Sequence, residues 1–483
     1  MRKHLTLTTI LLAAICMACE PVAQDTPNKP DTPETPDKPD TPDTPDVPAK
    51  EGVDYVWDED YLPEITMKFT LEEWNNLLDG FDRDNHIVDY FHADLTFKLG
   101  DEVTEIQDGG VRLKGNTSRR RPEGNQGQKH VANNTDWHHC HYSLNYRKFH
   151  KDSDHTVKGV RKMYLKWCKD DATYARELYC YDLFRRYGIW TAALDNYCRL
   201  WVHVEGDDKP AYLGVYQMIE TVDDEYVKRH VKDGFENKNG NLWKCGHNGQ
   251  YADLDGIDGD WGVDLNTGAN YTYEYKGDEE DYEAAKEQFQ DFLLKLQGKS
   301  DESFYAWITT VCDVEFLLKT YAVNVAVGMW DDLWANGNNY YLYFNSSDKL
   351  DYKVFFIPYD YDNTMGPSGL GMDSGRQDPY SWGNVGLLMK RLMKFPDFRK
   401  IYKDALLELC DPAKELFHTD ASIARINAWH NRIKDHISND TGEDMSLEDR
   451  PAGWSNHGEY RLLTPGSNNF FDVKMQAIRS MKD

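Results

Sequence analysis

Between Trp330 and Gly366 the chain concentrates side chains that can hold a hard cation or orient a hydroxyl. The segment opens with Trp330-Asp331-Asp332 and continues through Asn336, Asn338 and Asn339. It then passes along two strand-like runs, Tyr340–Phe344 and Tyr352–Ile357, and closes on Pro358-Tyr359-Asp360-Tyr361-Asp362-Asn363-Thr364-Met365-Gly366. Carboxylates and amides at the ends of two short strands converge on one point when the strands pair as a hairpin. Oxygen donors of that kind suit Mg²⁺ or Mn²⁺, which keep waters and accept phosphate oxygens. Phosphoryl transfer uses such a set: one Asp for the acceptor hydroxyl, an Asn and an Asp for the metals. An Asp-x-Asp after a strand also describes a solvated turn. The Asp and Asn upstream, at hairpin distance, are what point to a site.

The elements that must position these residues are mixed α and β. Leu95–Leu99, Gly110–Leu113, Tyr164–Trp167 and Arg199–Val204 have strand composition. Thr173 to Tyr187 has helical spacing, with Tyr174, Leu178, Tyr181 and Phe184 on one face. Asp170 or Asp171 can cap its start and Gly188 can end it. Further helical stripes run through Phe289, Phe292, Leu293 and Leu296, from Phe316 to Val327, and from Val385 to Leu409. Strands first and helices later predict an α+β chain, sheet-rich over residues 51–222 and helical over 223–483.

Six short segments, in order, resemble the spore-coat protein H (CotH) kinase-like family. They are Gly110-Val111-Arg112-Leu113-Lys114-Gly115-Asn116-Thr117-Ser118, Asp171–Glu177 with its Arg-Glu pair, Leu213–Glu220, Gly240-Asn241-Leu242-Trp243-Lys244, Asn339–Tyr343 and Ile357–Asp362. The resemblance implies a divergent protein-kinase-like two-lobe fold, with a sheet-rich N-lobe and a helical C-lobe. It also implies ATP with Mg²⁺ or Mn²⁺, and phosphorylation of Ser or Thr in a protein. Carried over, Asp331 is the catalytic acid; Asn339, and less directly Asn336, is the metal-holding amide; Asp360 and Asp362 are the metal carboxylates. Arg112, Asn116 and Ser118 line the phosphate side, Glu220 sits at the lobe junction, and Lys244 joins the cofactor-binding set. The spacing of Lys166 on a strand and Glu177 on the next helix reads as a kinase lysine–glutamate pair.

Two stretches depart from that reading. Where the family usually carries a lysine-rich run, this chain has Trp137-His138-His139-Cys140-His141-Tyr142-Ser143-Leu144. Strand alternation puts His139 and His141 on one face, but no second ligand pair is spaced to complete a metal site. Asp253 to Asp260 resembles a calcium loop, yet its glycines are out of step and no Glu closes it, so it reads as a polar surface loop.

The N-terminus supplies an address. Arg2 and Lys3 precede an apolar stretch from Leu5 to Met17, too short for a lasting transmembrane helix. A small residue, Ala18, stands before Cys19, which resembles a lipoprotein signal box with Cys19 as the lipidated residue. Residues 25–49 repeat Thr, Pro and Asp with almost no apolar side chains and can reach on the order of 75 Å, so residues 19–50 read as a disordered tether. Residues 1–18 are then a signal peptide. The expected location is a bacterial envelope, outer membrane or cell surface, with the membrane bound through the lipid.

Glu20 to Asp60 holds thirteen acidic and three basic residues, a large share of the net charge of −28. The remainder is moderately acidic, which argues against nucleic acid as a partner. Apolar content of 40% suffices for a sizeable core. Beyond Cys16 and Cys19 there are seven cysteines without regular spacing, so they read as buried small hydrophobes rather than a disulfide framework.

Two functions of different class follow. One is a metal- and ATP-dependent kinase-like enzyme acting on a surface or exported protein. The other is a catalytically silent scaffold or adhesion lipoprotein, favoured by the His-Cys replacement and by a compartment poor in ATP.

Overall fold

The alternation of buried and exposed residues along Phe91–Leu99 sets one face of a strand inward and the other out. In the computed structural model, which describes residues 50–151, 154–264 and 270–482, that strand is part of a closed barrel. Seven strands form it: β1 (Glu64–Phe69), β2 (Phe91–Leu99), β3 (Glu102–Lys114), β4 (His141–Asn145), β5 (Lys162–Lys166), β6 (Asp195–Val204) and β7 (Ala211–Glu220). They run in the order β1-β2-β3-β4-β5-β7-β6, and β6 closes onto β1 as a parallel pair. Closure leaves no open sheet edge. The interior is filled by Leu95, Phe97, Val111, Leu113, Tyr142, Leu144, Leu165, Val202 and Met218, all buried.

Two helices precede β2. These are α1 (Val53–Val56) and α2 (Leu71–Arg83), the latter capped by the Thr70 hydroxyl, which accepts from the Glu73 amide at 3.1 Å. Between β5 and β6 lies α3 (Arg176–Arg186). Asp171 satisfies its first turn, accepting from the amides of Ala175 (3.0 Å) and Arg176 (2.9 Å). The cap expected at Asp170 or Asp171 is therefore Asp171. The helix begins three residues later than its spacing predicts, because Tyr174 takes a left-handed conformation (φ 54°). Every residue from Arg176 to Phe184 is buried, so α3 is enclosed on all sides rather than on one face.

After α4 (Asp224–His230) the chain forms a second sheet from β8 (Asn241–Cys245), β9 (Trp261–Val263), β10 (Tyr273–Tyr275), β11 (Tyr340–Phe344) and β12 (Val354–Pro358), ordered β12-β11-β8-β10-β9. The C-terminal part is thus not only helical, as expected from sequence, but built around this five-stranded sheet. β9 and β10 are three residues each, too short to carry a periodic signal. One face packs Trp243, Leu342, Phe344 and Phe356 against α5 (Tyr282–Gly298), α6 (Asp301–Val311) and α7 (Val314–Ala326) in a single large core. The helices α8 (Leu387–Leu392), α9 (Pro396–Leu409), α10 (Thr419–Ile433) and α11 (Phe470–Arg479) complete that core. The expected stripe at Phe289, Phe292, Leu293 and Leu296 is the buried face of α5.

Among the described residues all seven cysteines are free, and six of them are buried. No helix of the described residues is long and apolar enough to cross a membrane. Cys19, the signal peptide and most of the tether lie outside the described residues.

Candidate functional site

The outward face of the barrel presents charge in a row. Lys114 on β3 pairs with His141 on β4, and the β4–β5 register sets Lys166 opposite His141. With the neighbours of these strands turned into the barrel core, Lys114, His141 and Lys166 all point out of it. Each is held differently. The Lys114 ammonium lies 4.4 Å from the Tyr164 ring centroid and 5.8 Å from that of Tyr359. His141 accepts from the Trp167 amide at its Nδ1 (3.2 Å), and burial pushes its pKa well down.

Lys166, at the end of β5, meets three carboxylates. Its Nζ lies 2.7 Å from Glu177 on α3, 2.6 Å from Asp360 and 3.1 Å from Asp362. Lysine and glutamate are each about 5% exposed. The segment after β12 is bolted onto α3. The Asp360 amide donates to the Tyr181 hydroxyl (3.1 Å) and the Tyr361 amide to Glu177 (3.2 Å), while the Tyr361 ring packs 5.1 Å from Phe184. Asp360 occupies the left-handed region (φ 64°), which turns successive carboxylates of the Asp-x-Asp toward the lysine.

Three carboxylates around one ammonium leave the site short of positive charge. Burial and the neighbouring carboxylates push Glu177 up to about 8 against the opposing pull of Lys166. Burial likewise raises Asp362. Asp360 goes the other way: burial opposes ionisation, but Lys166 and Lys114 outweigh it and hold the carboxyl low. Lys166 itself is held well above its ordinary value, its carboxylates outweighing the cost of burial. Oxygens of Glu177, Asp360 and Asp362 lie within 4.8 Å of one another, close enough to share one cation. All three are hard carboxylate donors, so the site fits Mg²⁺ or Mn²⁺.

Asp331 is a hub of amides. It accepts from the side chains of Asn336 (2.6 Å), Asn338 (2.9 Å) and Asn339 (2.9 Å). Burial raises its pKa, the Asn336 and Asn338 hydrogen bonds oppose that, and Asp360 and Asp362 add to it. Its neighbour Asp332 secures the loop instead, accepting from Asn324 on α7 (2.5 Å) and from the Ala335 amide (2.8 Å).

The remaining sequence-derived residues divide. Lys244 on β8 stands 5.9 Å from the Tyr359 ring and so joins Lys114 around that tyrosine. Arg112 shares the outward face of β3 with Lys114 and lies over Tyr90 at 5.2 Å. Asn116 is exposed and Ser118 half-buried in the turn that follows Lys114. Glu220 is not brought to the cage: it accepts from Arg229 Nε (2.9 Å) and from the Leu194 amide (3.0 Å). Arg176 pairs with Asp171, as a structural ion pair. His139 and His141 both pack on the Trp167 ring, at 6.2 and 4.2 Å, and the nitrogens of His139 contact Tyr216 and Thr441. Sequence spacing alone assigns no role to Lys114 or Asn338, which the fold places beside the Tyr359 ring and on the Asp331 carboxylate. For Lys114 the available signal was its i, i+2 spacing from Arg112 on one strand.

A sequence model described as CotH kinase protein matches residues 111–464. That span contains the cage, the amide hub and the lysine row. A search of curated proteins finds no match.

Proposed function

The chain belongs to the CotH kinase family, and from that premise we propose that it transfers the terminal phosphoryl group of ATP, with a divalent metal, to Ser or Thr of a surface or exported protein. The observation that carries this reading is the Lys166 ammonium inside Glu177, Asp360 and Asp362. A bound Mg²⁺ or Mn²⁺ would supply charge neutralisation at the phosphate oxygens. Glu177, Asp360 and Asp362 are the residues to hold it. Lys166, fixed by Glu177, is the positive group that orients phosphates. Lys114 and Lys244 have no carboxylate within ion-pairing distance among the described residues, which leaves both charges for an anionic ligand. Asp331, its oxygens aligned by three amides, is the acceptor for the hydroxyl proton.

The kinase-like two-lobe division, with the barrel as N-lobe, belongs to the same proposal, and so does lipid anchoring through Cys19 at the envelope. A second reading, a silent scaffold or adhesion lipoprotein, draws on one observation: Lys166 engages all three carboxylates at once and so competes with a cation. The two are separated by incubating the full chain with ATP, Mn²⁺ and a Ser/Thr-rich protein, and reading phosphate incorporation by mass spectrometry. Transfer that disappears in Asp331→Asn supports the enzyme. Nucleotide binding without transfer to any acceptor supports the scaffold.

A further inference from the structure

On the outer wall of the barrel, away from the lysine cage, β2 and β3 slip register. Ala93 pairs with Gly109, but Leu95 pairs with Ile106, so Gln107 and Asp108 together oppose Asp94. This is a β-bulge, and Asp108 within it takes a left-handed conformation (φ 55°). A non-glycine residue there is strained, and bulges re-aim side chains. The re-aimed carboxylate sits between two imidazoles. One oxygen contacts His92 Nδ1 on β2, and the other lies 2.7 Å from His150 Nε2 in the turn after β4. The Asp108 amide is pinned by Asp94 (3.1 Å) and the His92 ring stacks on Phe149 at 3.6 Å. A third imidazole, His155, has its ring centroid 4.9 Å from that of His150.

We propose that His92, Asp108 and His150 form a surface site for a borderline divalent cation of the Zn²⁺ class, with His155 as a further imidazole within reach. Two imidazoles and a carboxylate from three separate stretches of chain are a Zn²⁺ donor set rather than a Mg²⁺ one. In the structure the trio is open. Its nitrogens now contact opposite oxygens of a single carboxylate, and a cation must draw them together. Each of the three side chains is between 41% and 48% exposed, so a cation reaches all three from solvent. A metal takes an unprotonated ring nitrogen, so on binding His92 and His150 each present a neutral imidazole with its proton on the other nitrogen. Nothing in the phosphoryl-transfer reading requires this site.

The test is calorimetric titration of Zn²⁺ into the metal-stripped full chain, in excess Mg²⁺ to fill the carboxylate cage. One Zn²⁺ per chain is expected, weakened at least about tenfold in His92→Ala and in His150→Ala. Co²⁺ in place of Zn²⁺ gives a second readout, a visible absorption band of nitrogen-ligated metal that both substitutions remove. Absence of Zn²⁺ binding under excess Mg²⁺ overturns the proposal. So does binding that neither substitution changes.

Discussion

Lys166 and Glu177, eleven residues apart in sequence, stand 2.7 Å from each other on the last residue of a barrel strand and the first turn of a helix buried from Arg176 to Phe184. Both are buried, and among the described residues the ammonium is the one cation in ion-pair contact with three carboxylates that the chain brings together from positions as distant as 177 and 362. The pair therefore couples stability to whatever cation the site takes.

Removing the ammonium makes that coupling measurable. Lys166→Met leaves buried Glu177 facing the half-buried carboxylates of Asp360 and Asp362, and loss of one partner of the buried Lys166–Glu177 pair costs about 3–5 kcal/mol. Thermal melts should show that loss in metal-free buffer and partial recovery in Mn²⁺, with a larger Mn²⁺ response than wild type. An equal Mn²⁺ response in both proteins would place the metal elsewhere.

Asp331 should separate chemistry from binding. Asp331→Asn keeps the volume and removes the base, so phosphoryl transfer is expected to fall about 10²- to 10⁴-fold. Stabilisation by nucleotide with metal should persist. Loss of that stabilisation as well would make Asp331 a ligand-holding residue.

The position of Glu177 depends on Asp171. Its carboxylate accepts from the Thr173, Ala175 and Arg176 amides and pairs with buried Arg176. Asp171→Ala removes a cap worth about 0.5–2 kcal/mol and strands a buried charge besides. Chemical denaturation should report a loss of several kcal/mol, with Asp171→Asn intermediate because it still accepts from the amides.

Lys474 on α11 supplies a pH test far from the cage. It is fully buried, donating to the Ser374 carbonyl at 2.9 Å over the Trp382 ring. Burial pushes it down to about 7, against carboxylates at Asp373 and Asp378 that act in the opposite sense. Unfolded, it keeps its proton to about pH 10.4. Between those values the unfolded chain binds more protons, so this residue makes stability rise with pH across the window. The difference in unfolding free energy between wild type and Lys474→Met should shift in favour of wild type from pH 7 to 10. A constant difference would show the lysine to be charged throughout.

The sequence carried much of this because the deciding signals were local. Lys166 and Glu177 were legible as a strand residue followed by a helix residue, and the helix cap as either Asp170 or Asp171. The Asp360–Asp362 pair stood out as an acidic turn after a strand. Convergence of that turn with Lys166, 194 residues away, rests on packing of Tyr361 against Phe184 and Tyr181, which no short-range pattern encodes. Barrel closure was hidden for the same reason. Alternation states which side chains of β1 and β6 face inward, but not that the two strands pair in parallel. Glu220 looked equally suited to a site, and only the fold brings Arg229 to it.

The central claim, that the Lys166 cage takes nucleotide with metal, is tested most directly by thermal unfolding of the full chain in ATP with Mg²⁺ or Mn²⁺, beside Asp360→Ala. At about a hundredfold over the dissociation constant, binding adds about 2.7 kcal/mol, a rise of several degrees. The account predicts a rise in wild type that needs both metal and nucleotide and is absent in Asp360→Ala. No rise in wild type at millimolar nucleotide, or a rise that Asp360→Ala retains, would contradict it.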